Sequence, residues 1–147
     1  MEYNIRNAEA SDISQLAEIE NQCFSVPWTE EQLSHYLPDK MHMLILADSG
    51  EKVLGYVGLM YVIDEGYISN VAVRPEARRK GIADALINEL ISKANREELS
   101  FVTLEVRAGN EAAKALYKKH GFIEVGSSKN HYSLPTEDAI FMTRYLK

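Results

Sequence analysis

The sequence predicts an α/β fold in which helices flank one mixed sheet, in the order β-α-α-β-β-β-α-β-α-β-β. Turn signals at Asp48-Ser49-Gly50-Glu51 and Asp64-Glu65-Gly66 join apolar runs in the first half, which implies antiparallel hairpins. Helical periodicities on either side of Ser100–Val106 imply parallel crossovers in the second half. No linker, repeat or low-complexity stretch divides the 147 residues, a length that suits one domain, 1–147, with a sizeable core.

Residues Glu2 to Arg6 alternate and read as an edge strand. Ser11-Asp12 starts a helix whose apolar face carries Ile13, Leu16, Ala17, Ile19, Cys23 and Phe24, and Pro27 ends it. Thr29-Glu30-Glu31-Gln32 has the spacing of a capping box, so a short second helix begins there, holds Leu33, Tyr36 and Leu37, and breaks at Pro38. Met41 to Ala47 and Val53 to Val62 read as strands, the second with Gly55 and Gly58 inside it. The next strand ends at Val73, because Pro75 lacks the N–H a ladder needs. Ile82, Ala83, Leu86, Ile87, Leu90, Ile91 and Ala94 then recur at helical spacing from near Gly81 to about Asn95. Ser100–Val106 is a compact strand, and Ala108-Gly109-Asn110 introduces a helix from Glu111 to Lys119. Gly121-Phe122 opens a strand to about Val125, Ser127 to Pro135 reads as a polar loop containing Tyr132, and Asp138 to Leu146 is the last strand.

Composition narrows the function classes. Apolar residues make up 46% and charged residues 26%, the balance of a globular chain. A net charge of −6 argues against nucleic-acid binding, which wants a basic face, although it is compatible with a basic acceptor. The lone Cys23 excludes an internal disulfide framework, suits a reducing compartment and reads as core rather than as a nucleophile. With neither a signal peptide nor an apolar run of transmembrane length, the expected location is the cytoplasm, without a membrane partner. His35, His42, His120 and His131 are scattered, read as surface or structural, and show no metal-ligand spacing.

The stretch Asn70–Asp84 carries the first chemical signal. Val71, Ala72 and Val73 form a buried strand end, and the long helix then opens on Arg78-Arg79-Lys80-Gly81. Helix N-termini favour acids, so three cations there cost roughly a few tenths of a kcal/mol each unless an anion is bound. Free N–H groups at a helix start form such an anion site, and Gly81 and Ala83 leave room for a phosphate to approach the backbone. The plain alternative is a solvated basic turn. A second signal lies in Phe101–Arg107, where alternation puts Phe101, Thr103, Glu105 and Arg107 on one face. A carboxylate desolvated in mid-sheet has its pKa raised toward neutrality, which suits a general base; the alternative pairs Glu105 with Arg107 structurally. Helical spacing turns Tyr117 inward beside that strand, as core or as a catalytic group.

Arg78-x-x-Gly81-x-Ala83 resembles the Arg/Gln-x-x-Gly-x-Gly/Ala signature of the GNAT acetyltransferase superfamily, which cradles the pyrophosphate of acetyl coenzyme A. Asn110-x-x-Ala113-x-x-Leu116-Tyr117-x-x-x-Gly121-Phe122 looks like the second signature of that family without a departure, and the element order is similar to the GNAT fold along nearly the whole chain. Asn70–Val73, Leu104–Arg107, Glu137–Met142 and Pro27-Trp28-Thr29-Glu30 further resemble one branch, the RimI-type bacterial ribosomal-protein alanine N-acetyltransferases. Arg78 and Ala83 stand where that branch often has Gln and Gly; Ala still admits a phosphate, with slightly less room.

The resemblance implies an acetyl-CoA-dependent enzyme that needs no metal and forms no acyl-enzyme. Its acceptor would be the N-terminal alanine of small-subunit ribosomal protein eighteen, its base Glu105 and its acid Tyr117. It implies a cofactor contact along Val71, Ala72, Val73, Arg78, Arg79, Lys80, Gly81, Ile82, Ala83, Asp84 and Asn110, the last of which could equally cap the helix from Glu111. It nominates Trp28, Tyr36 and Tyr132 for the acceptor groove, where each could also be plain packing. Two rival functions stand beside this one. The same fold could acetylate other N-termini, lysines or a small amine, or the chain could be a non-catalytic acyl-CoA-binding module.

Overall fold

The computed structural model describes residues 2–147. Its elements are β1 (Asn4–Asn7), α1 (Ile13–Cys23), α2 (Glu30–Ser34), β2 (His42–Asp48), β3 (Val53–Val62), β4 (Glu65–Val73), α3 (Ile82–Arg96), β5 (Phe101–Arg107), α4 (Glu111–Lys119), β6 (Ile123–Tyr132) and β7 (Glu137–Tyr145). One-turn 3-10 segments at Ala10–Asp12 and Pro75–Ala77 precede α1 and α3. The strands form one seven-stranded sheet in the order β1-β2-β3-β4-β5-β7-β6. Every neighbouring pair is antiparallel except β4 and β5, so the sheet is mixed, as the sequence predicts.

Side-chain alternation divides the core between two faces of the sheet. From β2, Met43, Ile45 and Ala47 meet the apolar stripe of α3 (Ile82, Leu86, Leu90) together with Tyr117 and Phe122. Leu44 and Leu46 point the other way, against Leu16 and Ile19 of α1 and Leu33 of α2. From β5, Val102, Leu104 and Val106 join the α3 face, which leaves Glu105 and Arg107 on the α1 face.

The functional geometry comes from the middle of the sheet. β4 pairs with β5 only over Glu65–Tyr67 against Phe101–Thr103, and beyond that the two strands part. Just there β4 carries a bulge: Gly58 opposes Asn70 and Leu59 opposes Ile68, leaving Ser69 unpaired. A bulge bends its strand, which turns Ile68–Val73 away from β5. Gly58 permits it, since a Cβ at that position would lie 2.9 Å from Ser69 Oγ. Gly55 permits the close approach further along, where a Cβ would meet the Ala72 carbonyl oxygen at 2.8 Å.

Several boundaries differ from the sequence reading. α1 stops at Cys23 rather than at Pro27, because Phe24 turns extended and the chain doubles back so that the Trp28 N–H reaches Glu20. α2 forms with the expected box, Thr29 Oγ1 accepting from Gln32 N and Gln32 Oε1 from Thr29 N, but ends at Ser34, so Tyr36 and Leu37 lie beyond it. The largest correction is at Ser127–Pro135: it is not a polar loop, since β6 continues to Tyr132 with register shifts after Glu124 and Ser128. β6 is an edge strand exposed along most of its length, so backbone pairing with β7 holds it and no apolar alternation marks it.

Candidate active site

The parting of β4 and β5 opens a cleft of about 650 Å³ through the sheet. Its walls include Glu20, Cys23, Phe24 and Trp28 from the first helical region, Ile68–Val71 from β4, and Leu104–Arg107 from β5. Asn110, Ala113 and Tyr117 approach from the start and body of α4, His131 and Tyr132 from the end of β6, and Ser133–Pro135 from the β6–β7 turn. Glu105 and Tyr117 therefore line one cleft, reaching it from opposite faces of the sheet.

Glu105 is not desolvated, contrary to expectation: its side chain is 46% exposed. The reason is that β5 has no β4 partner beyond Thr103, so the cleft opens beside it. Nor does it pair with Arg107. The nearest ionisable partner of Glu105 is His131, whose Nε2 lies 3.0 Å from Oε1. Arg107 turns to the β6–β7 connection, where Nη1 donates to Pro135 O (2.8 Å) and lies 3.3 Å from Glu137 Oε1, and Nη2 donates to Ser133 O (3.0 Å). Its guanidinium also covers the Tyr132 ring at 4.5 Å from the centroid, a favourable cation–π geometry. Burial, and after it the Glu105 charge, pushes the Tyr132 hydroxyl up to about 12.

Tyr117 is 8% exposed, and its ring packs at 5.7 Å from Phe122. Burial pushes its hydroxyl up to about 12, so it holds its proton throughout the neutral range.

Glu20 also lines this cleft, outside every motif of the sequence. It is wholly buried, and its carboxylate accepts from Trp28 N (2.8 Å), Asn70 Nδ2 (3.1 Å) and the Tyr56 hydroxyl. Desolvation raises its pKa above the ordinary 4.5, against the lowering effect of those donors. A signal for it exists in the sequence: position 20 is four residues after Leu16 and seven after Ile13, on the apolar stripe of α1. His131 has no comparable signal, because no apolar alternation marks the strand that carries it.

The phosphate-site candidates sit where the polypeptide turns into α3. Gly81 occupies the N-cap with φ +77°, and no side chain caps the helix. A Cβ built at Gly81 meets nothing within 4 Å, so the approach is open, and φ there favours glycine. Arg79 and Lys80 are exposed. Arg78 instead folds back, its Nε donating to Val73 O (3.2 Å) and its Nη2 lying 3.4 Å from Cys23 Sγ. Ile82 buries its side chain in the core, and Asp84 turns to His120 Nε2 (2.9 Å) and Lys119 Nζ (3.0 Å) while staying partly exposed. Val71 lines the cleft while Ala72 and Val73 are buried. Asn110 caps α4 through Ala113 N (3.1 Å) and also lines the cleft. Of the acceptor candidates, Trp28 and Tyr132 line the cleft; Tyr36 packs behind it, 5.0 Å from the Trp28 ring and 4.9 Å from His42.

A model of the Acetyltransferase (GNAT) family matches residues 13–122. This chain belongs to the GNAT acetyltransferase family. The Escherichia coli (strain K12) protein named ribosomal protein bS18-alanine N-acetyltransferase is 33% identical over 94% of this chain and 94% of its own. A Haemophilus influenzae protein of the same name is 33% identical over 97% of this chain and 98% of its own. The crystal structure of the ribosomal-protein-S18-alanine N-acetyltransferase from E. coli matches with a TM-score of 0.93 at 29% identity, covering 99% of this chain and 95% of that one.

This GNAT chain is thus an N-acetyltransferase of the RimI type. Among its described residues no helix is long and apolar enough to cross a membrane. Its cleft brings together a half-exposed carboxylate from one face of the sheet and a buried neutral phenol from the other, and outside the cleft lining α3 starts uncapped beside exposed cations, a geometry that suits an anionic group.

Proposed function

We propose that this GNAT enzyme moves the acetyl group of acetyl coenzyme A to the N-terminal alanine amine of ribosomal protein bS18. One observation carries the reading: Glu105 and Tyr117 converge on one cleft from opposite faces of the sheet, in a chain similar over its length to relatives named for that activity. The uncapped start of α3, with Gly81 open and Arg79 and Lys80 exposed, suits the pyrophosphate of the cosubstrate. Acetyl coenzyme A supplies the thioester carbonyl and the leaving sulfur. The reading puts the protein in the cytoplasm with its ribosomal acceptor.

Glu105 acts first, taking a proton from the acceptor ammonium. An α-amine has an unperturbed pKa of about 7.7–8.0 against about 10.4 for lysine, so a modest base suffices and N-termini are favoured. The freed amine attacks the carbonyl and the C–N bond forms; as the adduct collapses the C–S bond breaks and the second amine proton passes to the departing sulfur, so amide and free thiol result without an acyl-enzyme. Tyr117 donates to the departing sulfur. With a hydroxyl near 12, it is always protonated when that donation is required. A free thiol titrates at about 8.5, so complete transfer from Tyr117 is favoured only where burial raises the thiolate as well. Hydrogen-bond donation to the developing charge is its main contribution.

Intact-mass analysis tests the reading, after mixing the enzyme, acetyl coenzyme A and purified small-subunit ribosomal proteins. A single acetyl on the N-terminal alanine of bS18 supports it. Labelling on lysines or other N-termini keeps the chemistry and discards the substrate. Bound coenzyme without any labelled protein points to a small amine or to a binding module.

A further inference from the structure

Glu20 lines the cleft, is wholly buried and has no part in the proposed proton transfers. Its neighbours along the same helical stripe, Leu16 and Ile19, are also 0% exposed, so an apolar side chain would fit the packing of this face. A buried carboxylate is costly unless several donors satisfy it. Here the donors come from three separate segments: Trp28 N at 2.8 Å from the α1–α2 connection, the Tyr56 hydroxyl from β3, and Asn70 Nδ2 at 3.1 Å from β4. Asn70 also lies 3.4 Å from the Tyr56 hydroxyl, which closes the network. Trp28 and Asn70 both line the cleft, and Asn70 stands at the bulge where β4 leaves β5. One carboxylate thus links the connection, the bulged strand and the helix that together face Glu105.

We propose that Glu20 is a positioning residue for the acceptor: its carboxylate clamps the Trp28 connection to Asn70 and so gives the acceptor terminus a rigid wall opposite Glu105. This deepens the proposed function and rests on its reading of the cleft as the acceptor site. Phe24 and Val26 in the same connection are 37% and 59% exposed, so apart from the Trp28 ring, which packs on Tyr36, the carboxylate is what ties this connection to β4. Releasing the clamp leaves the coenzyme site at α3 untouched and loosens the acceptor site alone.

Trp28 is the only tryptophan in the chain, so its fluorescence reports on the clamp directly. Glu20→Gln keeps the shape but replaces one acceptor oxygen with an NH₂ that faces the Asn70 and Tyr56 donors. The expected result is an acrylamide quenching constant about twofold higher and a KM for an alanine-initiated hexapeptide about tenfold higher, the loss of one charge-assisted hydrogen bond. Affinity for acetyl coenzyme A stays within about twofold and kcat changes less than KM. A folded Glu20→Gln enzyme with wild-type quenching or wild-type peptide KM overturns the proposal. Should Glu20→Gln fail to fold, Tyr56→Phe removes one donor and keeps the carboxylate; a peptide KM raised about threefold supports the clamp, and an unchanged KM overturns it. A wild-type enzyme that acetylates no alanine-initiated peptide refutes the substrate reading instead, and the quenching comparison still decides the clamp.

Discussion

Two carboxylates line the same cleft and are held in opposite ways. Glu20, on the α1 wall, is wholly buried and spends both oxygens on protein donors. Glu105, on the β5 wall, is 46% exposed and touches a single ionisable partner, His131. A satisfied, desolvated carboxylate is suited to holding a structure together, while an exposed one retains lone pairs for an incoming proton. The same residue type therefore serves architecture on one wall and is available for chemistry on the other.

Exchange of roles between the two walls would break that comparison. Glu105→Gln should lower kcat by about 100-fold or more, with partial recovery at higher pH where the amine deprotonates unaided. Its melting temperature should stay within about 1 °C of wild type, because an exposed side chain with few partners contributes little stability. Unchanged turnover in stopped-flow or discontinuous assays removes Glu105 from the role of base.

Glu20→Ala should do the reverse in stability. It strands the Tyr56 hydroxyl and the Asn70 amide, and about 3 kcal/mol of unfolding free energy should vanish, lowering the melting temperature by about 10 °C. A thermal melt indistinguishable from wild type would mean that the buried network is solvated once the carboxylate is gone.

Tyr117→Phe sharpens the contrast from the far face of the sheet. Transfer should slow about tenfold with coenzyme affinity nearly unchanged, since only the donated hydroxyl is lost. Wild-type rates return Tyr117 to the core that it shares with Phe122.

The smallest effect is a pH dependence. Burial raises the Glu20 pKa in the folded state above 4.5, so the native protein holds that proton more tightly than the unfolded chain. Its contribution to stability is full below about 4.5 and is lost as pH rises through the raised value. Glu20→Gln lacks this term, so its stability relative to wild type should climb over that window in urea titrations at stepped pH. Asp12 has the opposite sign. Arg6 lowers its pKa below 3.8 through paired hydrogen bonds of 2.8 and 2.9 Å, and that stability disappears as pH falls through the lowered value. A flat difference between Glu20→Gln and wild type would show that the carboxylate is as well solvated by its donors as by water.

Much of this was legible before any coordinates. The helical stripe at Ile82–Ala94, the capping box at Thr29 and the strand–turn–helix around Gly81 are local patterns, and the structure has each of them. β6 was not legible beyond Val125, because an edge strand pairs through backbone groups that every residue possesses. For that reason His131 is one scattered histidine among four at the level of sequence. Glu20 stands on an apolar stripe, and the stripe says only that the position is buried, not which donors meet it.

The family and the order of elements were written in short stretches of the sequence. Periodicity and motif spacing record which face of each element is buried and which turns are possible, and those are properties of short stretches. The parting of β4 and β5, the openness of Glu105 and the donors that Glu20 collects emerge with long-range packing. Those depend on a bulge at Ser69 and on bonds between residues up to 50 positions apart, which no local pattern encodes.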